Sequence, residues 1–196
     1  MILPIVAYGD PVLRKETVEI DADYPKLQDF IANMWETMEN ASGVGLAAPQ
    51  VGVAVRVFVV DTAPFSDDPN LSSEEQKELA AFRKVFVNAQ IEDESGDEWI
   101  FNEGCLSIPN VREDVSRQEN VTITYYDEEF KKHTETYDGL IARVIQHEYD
   151  HIEGILFTDK ISSLKKRLIK NKLNNISKGK TSVDYRMRFP DVKGRR

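Results

Sequence analysis

The sequence predicts an α+β fold: antiparallel sheets packed around a buried central metal-binding helix, with an N-terminal and a C-terminal helix. Three observations predict it. Residues 139–155 read as a helix that is apolar around more than half its surface. Short strand-like runs fill most of residues 84–137, and amphipathic helices are expected near 24–40 and 162–176. The strands by themselves indicate only a mixed antiparallel domain.

The central helix contains Gln146-His147-Glu148-Tyr149-Asp150-His151, a His-Glu-x-x-His pattern. Each helical residue advances about 100°, so His147 and His151 lie one turn apart on one face. Two imidazoles there can bind one metal ion, with Glu148 beside any water on that ion. Leu140, Val144, His147 and His151 form one stripe; Ile141, Ile145, Glu148 and Ile152 form a second. Such a helix is buried, and burying two histidines and a glutamate costs several kcal/mol unless they are paired or metal-bound. Asp138 is placed to cap the helix and Gly154 to end it.

The other elements follow in order. The chain opens extended, broken at Pro4 and Pro11, and enters a helix whose Leu27, Phe30, Ile31, Met34, Trp35 and Met38 recur at helical spacing. Gly43-Val44-Gly45-Leu46-Ala47-Ala48-Pro49-Gln50 is a tight turn that leads to a strand near 55–61. Residues 63–81 are polar and acidic, a surface excursion with a short helix at 73–82 capped by Ser72 or Ser73 and no evident chemistry. Strands at 84–92 and 98–101 are expected to pair through Ser95-Gly96-Asp97. After Glu103-Gly104-Cys105-Leu106-Ser107 come strands at 111–116, 120–126 and 132–137, the last two joined by Asp127-Glu128-Glu129. The 162–176 helix and a polar tail with Tyr185, Met187 and Phe189 close the chain.

A chain of 196 residues with 41% hydrophobic content suffices for one domain. Residues 1–160 are expected to form the catalytic part, and 161–196 a basic helix and tail that extend it. No run approaches the ~18 apolar residues that span a bilayer. Met1-Ile2-Leu3-Pro4-Ile5-Val6 lacks the regions of a signal peptide. The single cysteine, Cys105, excludes an internal disulfide and suits a reducing compartment. A soluble cytoplasmic protein is expected, with no membrane partner. The net charge of −9 is uneven: Lys160 to Arg196 holds 13 Lys/Arg against 2 Asp/Glu, a net of +11 that leaves −20 on the rest. A basic tail on an acidic body suits either an anionic partner or a solvated helix.

A catalytic metal site generally has three protein ligands and an open position. No histidine follows His151, and Glu153 points to another side of the helix. Nothing around Asp159, Asp184 or Asp191 favours them. Upstream, His133 sits in a charged strand, whereas a Cys105 thiolate would be a strong soft ligand. A lone cysteine is more often a small buried hydrophobe, so residue chemistry alone leaves the third ligand open.

Gly43-Val44-Gly45-Leu46-Ala47-Ala48-Pro49-Gln50, Glu103-Gly104-Cys105-Leu106-Ser107 and Gln146-His147-Glu148-Tyr149-Asp150-His151 occur in the order of three motifs of peptide deformylases. From the N-terminus to about Lys160 the chain resembles that family in its bacterial form; residues 63–81 and the basic tail depart from it. The resemblance implies the same α+β architecture and removal of the formyl group from N-formylmethionyl peptides, with release of formate. It implies that Cys105, His147 and His151 bind one divalent metal ion, Fe²⁺ natively, with Zn²⁺, Ni²⁺ or Co²⁺ as substitutes. Glu148 would take a proton from water and return it to the departing amine. The Gln50 amide and the Leu106 N–H would donate to the oxyanion. Gly45 would bond the substrate main chain. The methionine side chain requires an apolar pocket, for which Val44, Phe101, Leu140 and Val144 are candidates. Deformylases also pair an aspartate at the Asp150 position with an arginine, here Arg117.

Some deformylases dock at the ribosome exit through a C-terminal helix. Lys165, Lys166, Arg167, Lys170 and Lys172 give this chain a basic version, with Leu164, Leu168 and Asn171 sharing its short apolar side. A monomer is expected. Two competing readings are a zinc peptidase with a ligand from the C-terminal side, and a binding domain closed by a fourth protein ligand.

Overall fold

The computed structural model describes residues 1–190. Its five-stranded antiparallel sheet has the order β2 (Gly45–Ala47), β3 (Val57–Asp61), β4 (Arg83–Cys105), β5 (Ile108–Tyr126), β6 (Lys132–Tyr137). A separate parallel pair joins the two ends of the chain, β1 (Ile5–Val6) beside β7 (Met187–Arg188). Among the described residues no helix is long and apolar enough to cross a membrane.

Helix α1 (Leu27–Asn40) buries Leu27, Ile31, Met34 and Met38 at the spacing seen in the sequence. These residues pack on Val57 and Val59 of β3 and Val85 and Val87 of β4. Helix α2 (Ser73–Ala81) starts in a reciprocal cap: the Glu75 N–H donates to Ser72 Oγ at 3.2 Å, and the Ser72 N–H donates to Glu75 Oε2 at 2.8 Å. Its Leu79 reaches the cluster that also holds Phe58, Phe86 and Ile145.

The middle of the chain is simpler than its turn signals suggest. The expected strands 84–92 and 98–101 do not pair with each other; both belong to β4, a single strand of 23 residues. Likewise 111–116 and 120–126 merge into β5, of 19 residues. The two strands pair along almost their whole length, with register shifts that include one between Ser95 and Glu98. Gly96, at φ +86°, occupies that irregularity. A bulge and a hairpin turn both draw on glycine's left-handed freedom, so Ser95-Gly96-Asp97 reads alike for either. The reversal lies at Leu106-Ser107, where Cys105 pairs with Ile108.

Helix α3 (Gly139–Ile152) lies against β2, β3 and β5 and is the most deeply buried helix among the described residues. Asp138 stands at its N-cap without a side-chain capping bond, and Gly154 follows its end at φ +72°. Helix α4 (Ser163–Ser177) begins at Ser162, whose Oγ accepts from the Lys165 N–H at 3.3 Å. It buries Ile169, Leu173 and Ile176 against Val111 and Val115 of β5. The expected apolar side is therefore corrected: Leu164 and Leu168 are 60% and 70% exposed. Ile169, Leu173 and Ile176 complete an apolar i, i+4, i+7 set, whereas Leu164 and Leu168 continue to Asn171.

Candidate metal centre

Two elements meet at the centre. The tip of the β4–β5 hairpin presents Cys105, and α3 presents His147 and His151 one turn apart. One ligand atom from each residue lies within 4.8 Å of the others. The Cys105 Sγ is 3.3 Å from His151 Nε2. His147 Nδ1 is 2.9 Å from Glu103 Oε2, which leaves its Nε2 available to a ligand. His151 Nδ1 and Glu148 Oε2 are buried with no hydrogen-bond partner. A thiol and two imidazoles converging in a buried site form a donor set suited to Fe²⁺ or Zn²⁺, and three such ligands leave a position for substrate or water.

A buried ionic network supports the histidines. Glu103 accepts from Arg117 Nε at 2.7 Å, Arg117 Nη2 at 3.0 Å and Arg143 Nη1 at 3.1 Å. Arg117 Nη1 donates to Asp150 Oδ2 at 2.7 Å, so the expected Arg117–Asp150 pair is present. Burial alone would raise the pKa of Glu103, but the bonds from Arg117 and His147 hold it far below the usual carboxylate range. Glu103 therefore stays an anion that orients His147. Sequence reasoning gave it no role, although it stands two residues before Cys105 in the same motif.

The remaining groups face the same point. The Ala47 N–H donates to Gln50 Oε1 at 2.8 Å, which turns Gln50 Nε2 toward Cys105 Sγ, 3.4 Å away. Burial pushes the Glu148 carboxyl up to about 7, near the value a proton shuttle needs at neutral pH. Gly45 is required here, because a Cβ would come within 2.7 Å of Glu148 Cγ and Cδ.

A cleft of about 430 Å³ opens over the site. Val44, Gly45, Gln50, Phe101, Cys105, Leu106, Val144, His147 and Glu148 line it.

A family model described as polypeptide deformylase matches residues 2–167. The chain belongs to the peptide deformylase family. It is 69% identical over 193 residues to the peptide deformylase of Christiangramia forsetii, covering 98% of each chain. It is 55% identical over 190 residues to that of Cytophaga hutchinsonii, covering 97% of this chain and 98% of the other. Its fold is similar to the crystal structure of a peptide deformylase from Legionella pneumophila: TM-score 0.76, 36% identity, covering 91% and 96% of the two chains. The Thermotoga maritima deformylase gives a TM-score of 0.71 at 33% identity, covering 83% and 99%. Deformylases are metal-dependent hydrolases that remove the N-terminal formyl group from nascent peptides, and this is the enzyme's activity.

Leu140 packs on the same apolar cluster as Val44 and Phe65. It faces a separate crevice with Leu71 and Leu79, beside α2. It shares a stripe with His147 but starts seven residues earlier, about 10 Å along the helix axis. Several lining residues were not expected, among them Phe65, Arg143 and Tyr185. Phe65, from the excursion thought to lack chemistry, stands edge-on to Phe101 with ring centroids 6.4 Å apart. Arg143 precedes Val144 on α3, and Tyr185 arrives from the tail. The other residues weighed as ligands lie elsewhere: His133 bonds Asp127 at 2.6 Å and Asp159 bonds Arg14. Asp184 is absent from the gathered ligand set, and Asp191 lies outside the described residues.

Proposed function

We propose that Cys105, His147 and His151 hold one divalent ion, iron(II) in the native enzyme, and that Glu148, Gln50 and Leu106 carry the chemistry of deformylation. The observation that supports this best is the convergence of three N and S ligand atoms within 4.8 Å beside a glutamate whose Oε2 has no partner. A bound ion would supply Lewis acidity and lower the pKa of water from about 15.7 toward ~7. The chain's own residues do the rest. Glu148 takes the proton of the attacking water and holds it in a dry pocket. It then delivers that proton to the departing amine nitrogen as the formyl C–N bond breaks, leaving formate and a free N-terminus. Gln50 Nε2 and the Leu106 N–H donate to the oxygen that gains negative charge.

Substrate placement follows from the lining. The Gly45 backbone, free of a Cβ, approaches the peptide main chain. Val44, Phe101 and Val144 enclose the methionine side chain, and Phe65 extends that apolar wall. Residues 161–190 count as part of the catalytic unit in this reading, because Ile169, Leu173 and Ile176 join its core and Tyr185 its cleft. The protein works as a cytoplasmic monomer on nascent chains. The exposed basic side of α4, with Leu164 and Leu168 beside it, offers a surface for ribosomal RNA phosphate.

Incubation with formyl-Met-Ala and with an unformylated oligopeptide tests the activity: formate release is expected from the first and no internal cleavage of the second. Metal analysis of anaerobically purified protein, matched to specific activity, tests iron against zinc.

A further inference from the structure

We propose that the paired ends of the chain clamp the β4–β5 hairpin tip, and that Tyr185 is a positioning residue for the oxyanion donor. The inference rests on the role given above to the Leu106 N–H. Only Leu106 and Ser107 lie between the paired residues Cys105 and Ile108. Both of their carbonyls are taken from outside the hairpin. The Tyr185 hydroxyl donates to the Leu106 carbonyl at 2.8 Å, and the Tyr8 N–H donates to the Ser107 carbonyl at 2.8 Å.

These two donors come from opposite ends of the sequence and are tied to each other. Ile5 pairs with Met187 and Val6 with Arg188. The Ile5 N–H donates to the Arg186 carbonyl at 2.9 Å, and the Ala7 N–H to the Arg188 carbonyl at 2.8 Å. Asn110, just past the tip, donates from Nδ2 to the Ser182 carbonyl at 3.1 Å and so holds the tail approaching Tyr185. Tyr8 and Tyr185, which flank the β1–β7 ribbon, thus grip two consecutive peptide groups.

The grip bears on catalysis through preorganisation. An oxyanion donor is effective when it already points at the place where charge will develop, so that no reorganisation accompanies the reaction. Leu106 carries the N–H on one side of its Cα and the clamped carbonyl on the other. Fixing the carbonyl limits rotation within the residue, and fixing Ser107 removes the hinge beyond it. Tyr185 also lines the cleft, so its ring and its hydroxyl have separable effects.

The test uses the full-length, metal-loaded enzyme with Tyr185→Phe, which keeps the ring and deletes the hydroxyl. Assays with formyl-Met-Ala are run well below the melting temperature of each variant. One neutral hydrogen bond corresponds to a fall in kcat of about 2–12-fold. KM and metal per chain should stay within about twofold of wild type. Tyr185→Met, which removes the ring as well, should show the same fall in kcat together with a raised KM. An unchanged kcat in Tyr185→Phe overturns the clamp. So does a raised KM with kcat retained, which would make Tyr185 a wall alone, or a fall in kcat matched by lost metal. A wild type that releases no formate would bring down the Leu106 assignment itself, and this inference with it. Wild-type turnover with native kcat in Tyr185→Phe would sink the clamp alone.

Discussion

Helices α3 and α4 are nearly equal in length, at 14 and 15 residues, and both are rich in polar side chains. They use those side chains in opposite ways. Helix α3 buries Arg143, Gln146, Glu148, Asp150 and His151, whereas no Lys or Arg of α4 is buried. A buried polar group must be satisfied or it destabilises the fold, so its surroundings are constrained and informative. Arg143 and Asp150 are matched by Glu103 and Arg117, and Gln146 by the Gln118 carbonyl. Glu148 Oε2, His151 Nδ1, Gln146 Oε1 and Arg143 Nε are left without a partner, and the first stands where the proposed mechanism moves a proton. The exposed charges of α4 face water at little cost, and many sequences would serve equally well there.

Four variants sharpen this contrast. Glu148→Gln keeps the shape and removes the base, so formate release should fall by ~10²–10⁴-fold while metal content persists. A near-native rate would remove Glu148 from the mechanism. Arg117→Met removes the buried cation shared by Glu103 and Asp150, leaving Glu103 to Arg143 and His147 and Asp150 to Lys160, and should cost about 3–5 kcal/mol of stability by denaturant unfolding. A loss below ~1 kcal/mol would mean the network is more hydrated than its burial indicates. Leu173→Ala tests the one deeply packed side of α4; a loss of ~2–5 kcal/mol is expected, and indifference would show that the helix is not part of the core. The smallest effect belongs to the triple change of Lys166, Arg167 and Lys170 to Gln. Stability should move by no more than ~0.5 kcal/mol per site and peptide deformylation should be unchanged. Ribosome cosedimentation at low salt should weaken. Cosedimentation equal to wild type would leave α4 as a charged surface. Truncation after Asp159 is a poorer test, because it would remove Ile169, Leu173 and Ile176 from the core and Tyr185 from the cleft.

The same contrast explains what could be read in advance. Periodicity within one element carries far: the i, i+4 spacing brings His147 and His151 together, and the order of three motifs points to Cys105. Val44, Phe101 and Val144 were placed in the cleft from their closeness to those motifs. Periodicity gives direction around a helix but not position along a cleft. It also does not say which of two apolar sides faces inward, and α4 turns on that choice. The long β4–β5 hairpin was hidden because Gly96 suits a bulge as well as a turn. Phe65 and Tyr185 reach the cleft from segments with no local mark of function. Only the three-dimensional path of the chain brings them there.

The β1–β7 ribbon has a consequence for how the enzyme is made. Leu106 and Tyr185 are 79 residues apart in sequence. At ~5–20 residues per second, a ribosome needs about 4–16 s to get from one to the other. Cys105, His147 and His151 are all synthesised before β7. The hairpin tip of each new copy can be held at both carbonyls only after this last strand is made, when residues 185–188 return to meet residues 5–8.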